Sequence, residues 1–226
     1  MSAQGFFITG TDTGVGKTVV ACGLARAFRR QGLSVGVMKP VAAGAMRTPA
    51  GLRSEDAQAL IEAAGTRQTY LDVNPYCFET PVSPHIAAED SMIEVDCDTI
   101  QRHYQALAAT TDRILVEGAG GWLTPVSRHR TMADVACALG VPVVLVVGLR
   151  LGCLNHAQLT RLAVDASGLS FAGWIASGID PQMGRPEANL AALERLLGQP
   201  ALAVIAHDPR AVAALVLEQA AARLAP

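Results

Sequence analysis

The chain is poor in charge and in aromatic residues. Only 17% of its 226 residues are charged and 4% aromatic, while 50% are hydrophobic; soluble domains usually carry about a quarter charged residues. That balance excludes a disordered chain, which needs the opposite composition. It also requires a core built from Val, Leu, Ile and Ala. No run reaches the roughly 18 apolar residues of a membrane helix. The richest, Val141 to Leu149, has the length of a strand and contains Pro142 and Gly148. The segment Met1-Ser2-Ala3-Gln4-Gly5 lacks the basic region and apolar core of a signal peptide, so a cytoplasmic protein with no membrane partner is expected. A net charge of −2 gives no general attraction to nucleic acid. The five cysteines (Cys22, Cys77, Cys97, Cys137, Cys153) show no C-x-x-C pair, and the five histidines do not supplement them. They read as reduced thiols, most of them core filler, and a zinc site is not expected.

What the chain does have is alternation. Apolar runs of strand length (Phe6 to Thr9, Ser34 to Met38, Ile114 to Val116, Val143 to Val147, Phe171 to Ala176, Leu202 to Ile205) alternate with stretches of helical period. Val20, Leu24 and Phe28 recur four apart. Asp98 suits the N-cap of a helix to Thr110, and Thr131 to Leu139 ends at Gly140. Helices are also predicted over Asn155 to Ser167, Glu187 to Leu197 and Val212 to Leu224. Continuous Val/Ile/Leu strands separated by helices predict an α/β fold: a mostly parallel sheet with helices on both faces, as one domain over residues 1–226. Asn74 to Pro84, with three prolines, reads as loop.

The first loop carries the most specific signal: Gly10-Thr11-Asp12-Thr13-Gly14-Val15-Gly16-Lys17-Thr18. It follows a strand and opens a helix, as a phosphate-binding loop (P-loop) does. Backbone N–H groups and the helix N-terminus face the phosphates, and glycines admit a close approach. Lys17 can reach the β- and γ-phosphates, and the Thr18 hydroxyl can ligate Mg2+. The strict pattern places glycine where Thr11 stands. Glu117 closes a predicted strand and is followed by Gly118-Ala119-Gly120-Gly121. Together with Asp56 it offers the hard oxygens that Mg2+ prefers. Taken alone, Asp56 also suits a solvated helix cap, and Glu117 a plain glycine turn. Lys39, before Pro40, adds a second ammonium at the same rim of the sheet; a solvated lysine at a strand end is its simpler reading.

Six segments in order resemble one family, the dethiobiotin synthetases, ATP-dependent enzymes of biotin biosynthesis with a P-loop NTPase fold. They are Gly10 to Thr18, Lys39-Pro-Val-Ala-Ala-Gly44, Asn74-Pro-Tyr76, Ser83-Pro-His-Ile86, Glu117-Gly-Ala-Gly-Gly-Trp122 and Leu151-Gly-Cys-Leu-Asn-His156. The resemblance implies carboxylation of 7,8-diaminopelargonic acid by CO2, phosphorylation of the carbamate by ATP, and closure to dethiobiotin, ADP and phosphate. It implies catalysis by Lys17 and Lys39, and Mg2+ on Thr18, Asp56 and Glu117. It assigns nucleotide contacts to Gly14, Val15, Gly16, Lys17, Thr18, Val19, Asp56, Glu117, Gly118, Ala119, Gly120 and Ser177. Substrate contacts fall to Thr13, Lys39, Gly152, Cys153, Leu154 and Asn155, the last four reaching across a homodimer interface to receive the substrate carboxylate. Without the resemblance, Leu151 to His156 reads as an ordinary strand-to-helix turn.

Three departures stand out. Ala43 replaces a hydroxyl residue, Ser177 stands where many members place Asn for the adenine, and Ile205-Ala206 replaces Ile-Pro before His207-Asp208. They predict looser discrimination between nucleotides. A partitioning-type nucleotide switch shares the sheet and a related loop, but such loops carry a lysine where this chain has Asp12. A cobyrinate-type amidating enzyme or a small-molecule kinase would use the same phosphate loop.

Overall fold

In the computed structural model, residues 3–207 and 213–224 are described. Their elements, in chain order, begin with β1 (Gln4–Gly10), α1 (Lys17–Arg30), β2 (Val35–Met38), β3 (Val41–Ala43), β4 (Met46–Thr48) and β5 (Gly51–Arg53). Next come α2 (Glu55–Ala64), α3 (Tyr70–Val73), β6 (Tyr76–Phe78), α4 (Pro84–Asp90), α5 (Cys97–Ala108), β7 (Arg113–Glu117) and α6 (Met132–Leu139). The chain ends with β8 (Val143–Leu149), α7 (Cys153–Ala166), β9 (Phe171–Gly178), α8 (Pro186–Leu197), β10 (Ala203–Ile205) and α9 (Ala213–Leu224).

Six strands form one sheet in the order β10-β9-β8-β1-β7-β2, with every neighbouring pair parallel. Alternate side chains of each strand feed opposite layers, as the pleat requires. Phe6, Ile8 and Leu115 pack with α1, α2 and α9. Phe7, Ile114 and Val116 pack with α5 and α6, and Leu145 and Trp174 with α7 and α8. Both faces are covered, so the strands are apolar along their middles, and all seven residues of β8 are buried.

Several expectations are corrected. The N-cap of α5 is Asp96, not Asp98: its carboxylate accepts from the N–H groups of Asp98 and Thr99 at 3.1 and 3.0 Å. Helix α7 starts at Cys153, two residues before Asn155, because Gly152 takes the left-handed conformation (φ 95°) that turns the chain. The proline-bearing stretch after Asn74 contains β6, which pairs parallel with β3. Val212 and Asp208 lie outside the described residues. Among the described residues, no helix is long and apolar enough to cross a membrane.

The strand order places the site. After β1 the chain moves to β2 at one edge. From β7 it crosses back over β1 to reach β8. The carboxyl ends of β1, β7 and β8 therefore border the crevice where the chain direction switches, the usual ligand site of open parallel sheets.

Candidate active site

The loop from β1 to α1 is shaped by two glycines in the left-handed region, Gly14 (φ 73°) and Gly16 (φ 91°). Gly16 caps α1 without a side-chain hydrogen bond, and the first turn of α1 carries no acid. Its N-terminal N–H groups thus meet the site without a built-in anion, which favours a phosphate there. Val15 points inward and is buried, so only its backbone faces the loop. Lys17 is buried and its Nζ donates to the Asp12 carbonyl at 2.9 Å. Burial, and then the Lys39 charge, lower its pKa to about 8.

Register brings the other groups in. Met38 pairs with Val116, so Lys39 and Glu117 are next in line, side by side at the ends of β2 and β7. Lys39 Nζ lies 2.7 Å from Glu117 Oε1 and 2.8 Å from Asp56 Oδ2, and donates weakly to the Gly118 carbonyl at 3.4 Å. Lys39 is 4% and Glu117 1% exposed. Burial alone would lower the Lys39 pKa, but Glu117 and Asp56 together hold it above the usual value. Asp56 stands in the first turn of α2. The cap role belongs to Ser54, whose Oγ accepts from the Ala57 N–H at 3.4 Å, leaving Asp56 to face the site. Burial would raise its pKa, yet the Lys39 charge and hydrogen bond depress it.

The Thr18 hydroxyl completes the cluster, 3.0 Å from Asp56 Oδ1 and 2.8 Å from Glu117 Oε1. One hydroxyl has one proton, so it can satisfy only one of these carboxylates at a time. Among the described residues, Glu117 Oε2 is buried without a hydrogen-bond partner. Three converging hard oxygens, one buried and unpaired, are a donor set that fits Mg2+.

These groups share a cleft of about 450 Å3, lined also by Thr13, Gly14, Gly16, Val19, Ala119 and Gly120, with Ala42, Ala43 and Pro84 on its far wall. Ala43 therefore faces the cleft with a methyl group where a hydroxyl was expected. Ser177 is buried at the end of β9, beside the loop: its Oγ lies 2.7 Å from where a Cβ on Gly16 would sit. His207 bonds the Gly178 carbonyl through Nδ1 at 3.2 Å. His85 bonds Ser83 Oγ through Nδ1 at 3.0 Å and does not line the cleft. Gly152 to Asn155 form the start of α7 and lie outside the cleft lining. The Cys153 N–H is committed to the Arg150 carbonyl at 3.0 Å, and its side chain is buried. The sequence reading missed that Arg150 pairs with Asp12, tying this segment to the phosphate loop. The opposite charges were visible, but 138 positions separate them.

A glycine loop opening a helix at the switch point of a parallel sheet, with lysine, threonine and two acids converging there, defines a P-loop nucleotide-binding protein. Residues 4–214 match the family described as AAA domain. The septum site-determining protein MinD of Pyrococcus horikoshii, in complex with Mg-ADP, superposes with a TM-score of 0.63 at 18% identity, covering 97% of this chain and 94% of that one. A ParA family ATPase from Chlorobium tepidum gives 0.57 at 16% identity, covering 97% and 90%. At such identities the likeness is one of fold. Nearer in sequence, the ATP-dependent dethiobiotin synthetase of Aromatoleum aromaticum is 48% identical over 216 residues, 93% of this chain and 96% of that one. That of Xylella fastidiosa is 44% identical over 226 residues, 100% and 99% of the two chains. The chain belongs to the ATP-dependent dethiobiotin synthetase family.

Proposed function

We propose that the protein closes the cyclic urea of dethiobiotin from 7,8-diaminopelargonic acid, CO2 and ATP, as a cytoplasmic homodimer. One substrate amine adds to CO2, losing a proton, to give a carbamate. A carbamate oxygen takes the γ-phosphoryl group, and ADP leaves. The second amine then attacks the carbamate carbon, loses a proton and expels phosphate as the ring closes. Every group handled is anionic, so the residues act by positioning and charge neutralisation. The N–H groups of Gly14 to Thr18 and the Lys17 ammonium hold the phosphates. Lys39 turns from its carboxylate partners towards the carbamate and the transferring phosphoryl. Thr18, Asp56 and Glu117 would hold Mg2+, which when bound would neutralise phosphate charge. Ser177 and Ala206 border the base.

The observation that carries this reading is the convergence of Lys17, Lys39, Thr18, Asp56 and Glu117 in one cleft of a chain from this family. The N-terminus of α7 supports a carboxylate site, offered by the N–H groups of Gly152, Leu154 and Asn155, for which no hydrogen-bond acceptor occurs among the described residues. Leu151, Leu159 and Leu162 are 96%, 57% and 66% exposed, an apolar strip suited to a second copy. The test is ADP release with and without the diamine and bicarbonate: release dependent on both is expected. Release indifferent to both but stimulated by DNA or lipid would favour a partitioning-type switch.

A further inference from the structure

A partly buried polar relay lies behind Lys39, outside the cleft. Asn74 is 2% exposed and does not line the site. Its Nδ2 donates to the Lys39 carbonyl at 2.7 Å and to the Tyr76 carbonyl at 3.1 Å. The neighbouring Val73 carbonyl accepts the Lys39 N–H at 2.7 Å. Both peptide groups of Lys39 are thus held by one short segment, at the point where β2 ends and Pro40, lacking an N–H, cannot continue the ladder. On its other side, Asn74 Oδ1 accepts from the Tyr70 hydroxyl at 2.9 Å. The Tyr70 oxygen in turn accepts the Ser54 N–H at 2.7 Å. Ser54 caps α2, two residues before Asp56. The Tyr70 hydroxyl donates once and accepts once, the Asn74 amide donates both of its N–H groups and accepts once, and the Arg53 guanidinium lies 4.1 Å from the Tyr70 ring centroid, covering it.

We infer that Asn74 is a positioning residue that, through Tyr70 and Ser54, sets the separation of Lys39 from Asp56. The ends of the relay are the backbone beneath the ammonium and the cap of the helix bearing its carboxylate partner. A partly buried network of this kind, with its donors and acceptors paired, favours one arrangement, and removing a member leaves its partners unpaired. Asn74 lies outside the cleft lining, so its effect on the site runs through the backbone of Lys39. The catalytic half of the inference rests on the proposed role of Lys39; the geometric half does not.

The test therefore has two readouts. The first needs no turnover: acetic anhydride labelling of Lys39 and Lys17, followed by peptide mapping, in the full-length protein. In Asn74→Ala, Lys39 should label at least fivefold faster than in wild type as it loosens from its carboxylates, with Lys17 unchanged. Equal labelling of Lys39 would overturn the inference, as would equal acceleration at both lysines, which signals general loosening. The second is diamine-dependent turnover. Asn74→Ala and Tyr70→Phe should each lower kcat about 10-fold or more while ADP affinity stays within twofold, and the double variant should be no worse than Asn74→Ala, because both act on one relay. Losses that multiply in the double variant contradict it. If Asn74→Ala fails to fold, Tyr70→Phe carries the labelling test. A wild-type enzyme without diamine-dependent turnover would sink the functional reading and leave the labelling result standing.

Discussion

Replacing Lys39 by Met keeps the length of the side chain and removes its charge, and two consequences can be worked out separately. The first is catalytic. One preorganised charge-stabilising group typically contributes 10²–10³ in turnover, so kcat should fall by about that factor. The second concerns stability. Lys39 is buried against Glu117 Oε1 and Asp56 Oδ2 at 2.7 and 2.8 Å. Removing one partner of a buried ion pair costs roughly 3–5 kcal/mol. The Asp56 side chain is 43% exposed, so water screens part of the remaining repulsion, and a loss of about 2–3 kcal/mol is expected at pH 7. The pH dependence should also change. In the wild type, the depressed Asp56 pKa gives stability that is present above its unfolded pKa near 4 and is lost as pH falls through the folded value. In the variant, two acids face each other without their cation. One must take up a proton as pH falls, so stability should rise from pH 7 to pH 5. Urea denaturation at both pH values, beside steady-state kinetics, reads both effects. Turnover within tenfold of wild type, or a variant whose stability does not rise between pH 7 and pH 5, would contradict this.

Three other outcomes follow from the same cleft. With the Lys17 pKa lowered to about 8, ADP binding above pH 8 should take up a proton and weaken as pH rises, visible by calorimetry in buffers of different ionisation enthalpy. Because the unfolded value is near 10.5, the unfolded chain binds more protons between pH 8 and 10.5, and this group should make stability rise with pH there. Gly16→Ala should abolish measurable ADP binding and cost about 1–2 kcal/mol for the left-handed backbone, besides the 2.7 Å approach to Ser177 Oγ. Gly16→Ala/Ser177→Gly should recover only part of that loss in a melting experiment. On the proposed placement of Ser177 and Ala206 at the base, GTP and CTP should support more than about a hundredth of the ATP rate; a larger preference, above roughly 2.7 kcal/mol, would contradict the looser pocket.

How much of this could be read without coordinates depended on distance along the chain. Strands β1, β7 and β8 announced themselves because both faces are covered and their apolar runs are unbroken. The phosphate loop is local, nine residues long, and its chemistry was legible in its glycines, Lys17 and Thr18. Asp96 and Asp98 are chemically equivalent caps, and only the extended backbone at Asp96 (φ −107°, ψ 124°) decides between them. The helical period pointed to a start at Asn155, but a left-handed glycine three residues earlier had already begun the helix. Strand β6 was hidden because its pairing partner is β3, some 35 residues back. The contact of Lys39 with Glu117 spans 78 positions and exists because β2 and β7 are neighbours in register. Their shared rim could be inferred from strand ends, whereas the Asp12–Arg150 pair and the Asn74 relay depend on which loops meet, which no periodicity encodes.

The central claim is that this cleft phosphorylates a carbamate oxygen, and isotope transfer from doubly labelled C18O2 to phosphate tests it directly. Of the two labelled oxygens in the carbamate, one remains as the ureido carbonyl and the other departs with the phosphoryl group. One 18O per phosphate released is predicted by mass spectrometry under conditions that limit exchange with water. Phosphate free of label, with dethiobiotin still formed, would contradict it.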